Sequence, residues 1–520
     1  MTPETLLSIL NATPGWAEQA AASDLDDTAT LHVLSEAAKF ARTQLEPLAA
    51  RADVEGCRIE EGRVKTPAGY AETFRRMGED GWIAPDLAPD LGGMGLPLAL
   101  HVTASSQMEG AALPFMMALG STRAAAHCLA ATAPELATQW SPKLADGTWA
   151  ATICISEPDA GSDVGRIRTR ATADGDAYRI SGTKCWISFG DHDMAERIGH
   201  LCLARTGTVE DGTRGLSLFL IEGGPENGTH VERIEEKLGL HGSPTCVVRF
   251  DAAKGTLIGT EGRGLPALFN MIELMRLQVG TQGAGIAATT ATLARSYAED
   301  RKQGGHPAQP PVAIIHHPDV QRQLMMMDAR THILAALLVE TAVTLQQAQA
   351  GDPQARTLAP FLLPMAKTFG GELGQANADA AIQVLGGAGY TREWPAERHF
   401  RDARIMTIYE GTTGMQAQDI LFRRLLKSPD TMNAIVFRYG TSPLFDRIQT
   451  LIERLATAAH SQQALAADAM LRACWCATAD LLAQRIADHS GAAQALTLWR
   501  ALAPSDMAQA EATVDLALST

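Results

Sequence analysis

The sequence predicts an α+β chain in which helices, a compact sheet and then more helices follow in order. Three observations predict it. Apolar residues spaced three and four apart run from the start to about Gly147. Around Thr148 the pattern changes to short β-branched runs separated by turn signals, and after Gly264 the helical spacing returns.

In chain order, Thr30 to Leu48 and Thr66 to Met77 carry helix formers on the helical period, and the Pro- and Gly-containing stretch from Pro85 to Pro97 makes a loop before the next helix. Thr152 to Ile155, Tyr178 to Ile180, Leu201 to Ala204, Leu216 to Ile221 and Cys246 to Phe250 read as strands, with Asp174-Gly175 and Asp211-Gly212 at turns. No helix intervenes, so an antiparallel sheet or barrel is expected. Leu265, Leu268, Phe269, Ile272, Met275 and Val279 then open a long amphipathic helix. Leu334 to Leu345 and Met365 to Val384 repeat the spacing, and short Pro- or Gly-containing loops are expected to join them into an antiparallel bundle. An Ala-rich stretch with apolar residues at Phe445, Ile448, Ile452 and Leu455 adds a further helical segment. The expected domains are 1–147, 148–264, 265–428 and 429–520.

Composition excludes several classes. The chain has 520 residues, 46% hydrophobic and 20% charged, which is enough apolar surface for large cores and too much for disorder. Lys plus Arg is 44 against 59 for Asp plus Glu, a net charge of −15. That balance argues against a nucleic-acid or anionic-lipid partner. The first basic residue is Lys39, so the basic start of a leader peptide is missing; no apolar run approaches the ~18–20 residues that cross a bilayer. A cytoplasmic location and no membrane are therefore expected. The eight cysteines lack the spacing of a zinc knuckle or redox dithiol, so reduced, buried thiols and no metal are expected.

Three segments can carry chemistry. Ser156-Glu157-Pro158-Asp159-Ala160-Gly161-Ser162-Asp163 follows a strand and presents backbone N–H groups and short polar side chains to a ligand, or is a plain turn. Lys184-Cys185-Trp186-Ile187-Ser188 ends a strand; its Trp can lie against a planar ring or belong to the core. Gln383 to Tyr390 ends a helix in glycines that let a phosphate or sugar approach the backbone, and Glu410 follows the apolar run Ile405-Met406-Thr407-Ile408-Tyr409. A desolvated carboxylate has a raised pKa and suits a general base for a weakly acidic carbon, although a surface Glu in a turn is commoner.

Together these segments resemble the acyl-CoA dehydrogenase family over roughly residues 35–425, with EPDAGSD, GTKCWIS, YAEDRKQ, QVLGGAGYT and IYEGTTG in the family's order. The EKLGLHGSPT insert and the C-terminal extension resemble the larger bacterial branch that includes 3-methylmercaptopropionyl-CoA dehydrogenases. The resemblance implies a helical N-terminal domain, a central β-barrel and a C-terminal four-helix bundle, here with an appended helical extension. It also implies FAD and α,β-dehydrogenation of an acyl-CoA to a trans-2-enoyl-CoA. Glu410 falls on the family's catalytic base, opposite flavin N5. Ile153, Ile155, Ser156, Gly161 and Ser162 fall on flavin-lining positions, with Ser162 also near substrate, and Trp186, Ile187 and Ser188 border the ring. Arg301 and Gln303 match a motif reaching the pyrophosphate of a neighbouring subunit's flavin, which implies a homodimer or homotetramer. Gln383, Gly386, Gly387, Thr412 and Gly414 complete the FAD set; Glu273, Arg276 and Gly411 match substrate contacts. An electron-transferring flavoprotein is the implied electron acceptor.

Some positions depart from the pattern. Met275 stands where other branches place their base, Gly414 where a Gln or Asn is common, and Gly304 where an aromatic is common. An acyl-CoA oxidase on the same fold is the nearest alternative. The G-x-G-x-x-A stretch from Gly283 to Ala288 fits a dinucleotide fingerprint, but the segment before it is helical rather than a strand, so close helix packing is expected there.

Overall fold

The computed structural model describes residues 1–520. In chain order the elements are helices α1 (Pro3–Asn11), α2 (Trp16–Ala22), α3 (Asp27–Phe40) and α4 (Glu46–Glu55); strands β1 (Arg58–Glu60) and β2 (Arg63–Lys65); and helices α5 (Tyr70–Glu79), α6 (Leu98–Thr132) and α7 (Pro134–Ala145). Strands β3 (Trp149–Cys154), β4 (Arg170–Asp174), β5 (Ala177–Ser188), β6 (Arg197–Arg205), β7 (Leu216–Glu222), β8 (Thr229–Ile234) and β9 (Thr245–Ile258) follow. Helices α8 (Gly264–Asp300), α9 (Pro318–Gln349), α10 (Pro353–Leu385), α11 (Ala396–Ala403), α12 (Thr413–Gln418), α13 (Asp430–Tyr439), α14 (Pro443–Ala456), α15 (His460–Ile486) and α16 (Ala493–Ser519) complete the chain. The fold is thus mixed helix and sheet.

Two compact units divide these elements. One comprises Met1–Phe40, Pro97–Ala111 and Arg276–Thr520; the other comprises Ala41–Leu96 and Ala112–Met275. The change of unit within α6 falls where Ala112 leaves helical geometry (φ −147, ψ 58), two residues before Pro114, whose ring cannot continue the helix ladder.

In the sheet unit, β6, β7, β9, β5 and β4 are hydrogen-bonded in succession, and β4 returns to β6 through the single pair Arg170↔Arg205. A core of Cys154, Ile180, Cys202, Phe219, Val248 and Phe250 fills its interior. The expected antiparallel sheet is in fact mixed, because β3 runs parallel to β6 from Trp149↔Arg197 to Cys154↔Cys202. The chain between them is long enough to cross over, which a parallel pair requires. The sequence reading also missed β1, β2, β4 and β8, whose mostly polar, partly exposed residues give no apolar run.

The helical unit is built around glycine seams. A Cβ on Gly283 would lie 1.9 Å from the Gly370 carbonyl oxygen, and one on Gly285 would lie 2.2 Å from the Ser106 oxygen. Backbone therefore meets backbone where α8 packs on α10 and on the start of α6. The G-x-G-x-x-A stretch is this packing, inside a helix and with no strand before it. Ile333 to Leu345 on α9 is buried on every side rather than amphipathic. One expected short connection is long: between α8 and α9 the chain makes an exposed excursion, pinned at its base by the Lys302↔Ala313 bridge. All eight cysteines are free thiols, seven of them buried.

Candidate active site

The Glu410 turn is made by glycines on α10. Before Glu410, the 3-10 turn Arg404–Thr407 buries Met406, and a Cβ on Gly371 would sit only 3.0 Å from the Met406 carbonyl. Glu410 then adopts φ +54 and Gly411 φ +92, two successive left-handed residues. For a glutamate that conformation costs about 1–3 kcal/mol and persists only where surrounding contacts impose it. Gln416, fully buried on α12, imposes part of it by donating from Nε2 to the Glu410 carbonyl oxygen at 3.1 Å.

The Glu410 carboxyl is half-buried by surface area yet closely surrounded by protein. Desolvation pushes its pKa above the ordinary glutamate value, while Arg276 and Lys367 pull the other way. Arg276, on α8, has its own pKa pushed down by burial and stands 3.9 Å from Asp419. Lys367, on α10, is fully buried, its Nζ has no hydrogen-bond partner, and burial lowers its pKa to about 8. Tyr409, immediately before the glutamate, donates its hydroxyl to Gln282 Oε1. Close by in sequence to Gln282, Gln278 donates to Glu109 Oε1 at 2.9 Å, and burial pushes Glu109 up to about 8, so it carries its proton at neutral pH.

In the sheet unit, two of the motifs are joined by an ion pair that spacing alone does not reveal. Lys184 Nζ, fully buried, reaches Glu157 Oε1 at 2.8 Å and the Ile155 carbonyl at 2.9 Å. The Glu157 carboxylate also accepts from the Arg168 and Thr169 backbone N–H groups, at 2.7 and 3.0 Å. Burial alone would raise the Glu157 pKa, but Lys184 and these donors hold it below the ordinary value. The Cys185 N–H donates to the Ser156 carbonyl at 2.9 Å, and Thr152 Oγ1 donates to the Ser188 carbonyl at 2.7 Å. Ile153, Ile155, Ser156, Ile187 and Ser188 are thereby brought together at the ends of β3 and β5. Trp186 adopts φ +63 and leaves 63% of its surface exposed, so it is not a core residue.

The remaining sequence-predicted residues are placed as follows. Glu273 and Arg276 lie on α8 and are half-buried. Gly386 caps α10 at φ +63, and no atom lies within 4 Å of a Cβ built on Gly161, Gly386, Gly387 or Gly414. Gln383 and Ser162 are exposed, and Thr412 is the extended N-cap of α12. Arg301 and Gln303 are exposed at the base of the α8–α9 excursion. Lys367, Gln416 and the Glu157–Lys184 pair escaped the sequence reading. The visible signal for Lys367 was a charged residue in the otherwise apolar run Phe361 to Phe369.

The chain matches three family models in order: acyl-CoA dehydrogenase N-terminal domain over residues 29–148, middle domain over 152–253 and C-terminal domain over 262–426. It belongs to the acyl-CoA dehydrogenase family, whose members are FAD flavoproteins, and it is an oxidoreductase. It is 39% identical to 3-methylmercaptopropionyl-CoA dehydrogenase of Ruegeria pomeroyi over 78% of this chain and 71% of that protein. A broad-specificity linear acyl-CoA dehydrogenase of Mycobacterium tuberculosis is 34% identical, again over 78% of this chain and 71% of the relative. Among solved structures, butyryl-CoA dehydrogenase of Megasphaera elsdenii superposes with TM-score 0.66 at 24% identity, covering 75% of this chain and 96% of that one. Caenorhabditis elegans ACDH-11 in complex with C11-CoA covers 92% of this chain and 87% of its own, with TM-score 0.78 at 22% identity. No helix is long and apolar enough to cross a membrane.

Proposed function

We propose that the protein is an FAD-dependent acyl-CoA dehydrogenase that converts an acyl-CoA to a trans-2-enoyl-CoA, with Glu410 as the base. The observation that carries this reading is the desolvated Glu410 carboxyl, held in a left-handed turn at the family's base position. The α-proton of a thioester is weakly acidic, so the Cα–H bond breaks only if its proton passes to a base stripped of water while the carbonyl is polarised. The Glu410 backbone N–H serves that carbonyl, an oxyanion-type contact whose cost is met when the turn folds. FAD, when bound, supplies the two-electron acceptor for the hydride that leaves the β-carbon as the C=C bond forms.

Several features support the cofactor assignment. The exposed Trp186 indole offers a flat apolar face, and Ser156, Ile187 and Ser188 stand beside it in the chain or across the strand ends. Open backbone at Gly161, Gly386, Gly387 and Gly414 leaves room for a large polar ligand to approach. Exposed Arg301 and Gln303 suit a neighbouring subunit's flavin, so we propose a homodimer or homotetramer; a flavin-loaded monomer by mass measurement would contradict it. The four-part domain division, the barrel and the electron-transferring flavoprotein partner belong to the same proposal.

For substrate, the identity to the Ruegeria enzyme favours a short thioether acyl group. Anaerobic flavin bleaching across a panel of acyl-CoAs that includes 3-methylthiopropionyl-CoA tests it. Glu410→Gln is expected to keep its flavin and bind acyl-CoA while losing most bleaching. Full bleaching by that variant would remove Glu410 from the mechanism.

A further inference from the structure

Lys367 has no evident structural role. Its side chain is completely buried, and its Nζ makes no hydrogen bond. An ammonium in that position costs several kcal/mol unless a nearby anion offsets the desolvation. The charged groups around it are Glu410, Arg276 and Glu372. Glu372 is already engaged: Arg472 reaches its two carboxylate oxygens at 3.0 and 3.2 Å. Arg276 is a like charge. Glu410 is therefore the anion left to Lys367.

Helix geometry puts the two on the same side. Gly371, four residues beyond Lys367 and so on the same face of α10, packs against Met406 at the start of the turn that carries Glu410. The missing side chains at Gly371 and Gly374 let the turn lie against the helix, so the Lys367 stem faces the turn rather than solvent.

We propose that Lys367 is a positioning residue for the dehydrogenation, a buried cation that together with Arg276 holds the Glu410 carboxylate in its charged form and turned toward α10. The inference rests on Glu410 being the base. Arg276 does not do this alone, since it also faces Asp419 at 3.9 Å. Burial lowers the pKa of Lys367 to about 8, so it is charged at neutral pH and loses that charge on mild alkalinisation.

The test compares the parent with Lys367→Met and Lys367→Gln. Two quantities are read: the pH profile of kcat/KM, and the titration of the Glu410 carboxyl in infrared difference spectra against Glu410→Gln. In either neutral variant the carboxyl midpoint and the acid limb are expected to move up together by about one pH unit or more, with flavin content unchanged. At the acid limb kcat should fall about tenfold for that shift, while KM changes little. Lys367→Arg, which keeps the charge, should restore most of both. A folded, flavin-loaded neutral variant with midpoint and limb unmoved overturns the proposal. If only Lys367→Arg folds, the reciprocal coupling decides: Glu410→Gln removes the anion and should lower the midpoint of the Lys367 ammonium, read by lysine-labelled NMR with Lys367→Arg to assign the signal, and an unmoved midpoint overturns it. Full turnover in Glu410→Gln would instead overturn the assignment of the base, so the two failures are distinguishable.

Discussion

Burial and charge act on single residues with opposite signs here, and each sign is measurable. Desolvation raises the folded-state pKa of Glu410 above its unfolded value, so the folded protein holds that proton more tightly. Stability is then highest below the ordinary glutamate pKa, falls as pH rises through the window up to the folded value, and stays reduced beyond it. Glu410→Gln lacks this penalty. Its melting temperature is expected to match the parent near pH 4 and to exceed it increasingly toward neutrality, read by calorimetry at equal flavin loading; a gap that does not change with pH counts against the buried base. Glu157 is the opposite case, its folded pKa held low, so its contribution is present above the ordinary value and is lost as pH falls through the folded one. Lys184→Met removes its buried partner, and we expect a loss of roughly 3–5 kcal/mol by denaturant titration, because a buried carboxylate is left without its cation. A loss within ~0.5 kcal/mol, the range of ordinary surface substitutions, would show that the two backbone donors suffice.

At the scale of elements, helix packing by glycine explains what could be read in the sequence and what could not. The long helices α8, α9 and α10 were legible because their apolar residues recur at three and four over many turns. Glu410 and Trp186 stand out as candidates because each lies in a motif. The polar strands β4 and β8 were not, since their pairing partners and not their own residues make them strands. Nor was the Glu157–Lys184 pair, whose members are distant in sequence and meet only when β5 lies beside the turn after β3. Gly283 was visible but its partner was not: only the fold brings Gly370 against it. Gly283→Ala places a methyl group 1.9 Å from the Gly370 oxygen, a clash with backbone that no rotamer relieves. The helices must separate, and the expected outcome is a drop of several kcal/mol with loss of soluble protein. Gly165→Ala, where the nearest atom to the added Cβ is the Asp163 carboxylate at an ordinary 3.4 Å, serves as the stability control. Equal melting temperatures for the two variants would refute the packing argument.

For the whole molecule, the question is why a chain whose family matches end at residue 426 continues to residue 520. The answer lies in what the last helices cover. Trp475 of α15 stacks on Phe369 of α10 with ring centroids 4.4 Å apart and planes 13° from parallel, and α15 and α16 both pack on α9. That packing is why α9 can be buried all round between Ile333 and Leu345. A buried ion cluster fixes it: Glu340 of α9, fully buried, accepts from Arg438 Nε and Arg485 Nη1, each at 2.6 Å, and from the Tyr439 hydroxyl at 3.1 Å. Because three donors from the extension converge on one buried carboxylate, Glu340→Ala leaves two half-buried arginines without their anion, and breaking a pair of this kind costs up to about 3–5 kcal/mol. The extension should then loosen before the rest melts. Limited proteolysis is expected to cut the variant first in the 427–443 segment and to leave a fragment ending there, while the parent resists under the same conditions. With the cover loosened, the apolar side of α9 meets water, so the variant should also associate in size-exclusion chromatography at concentrations where the parent does not. Cleavage beginning elsewhere, or a variant as resistant as the parent, would mean that aromatic stacking and not the ion cluster holds the extension in place.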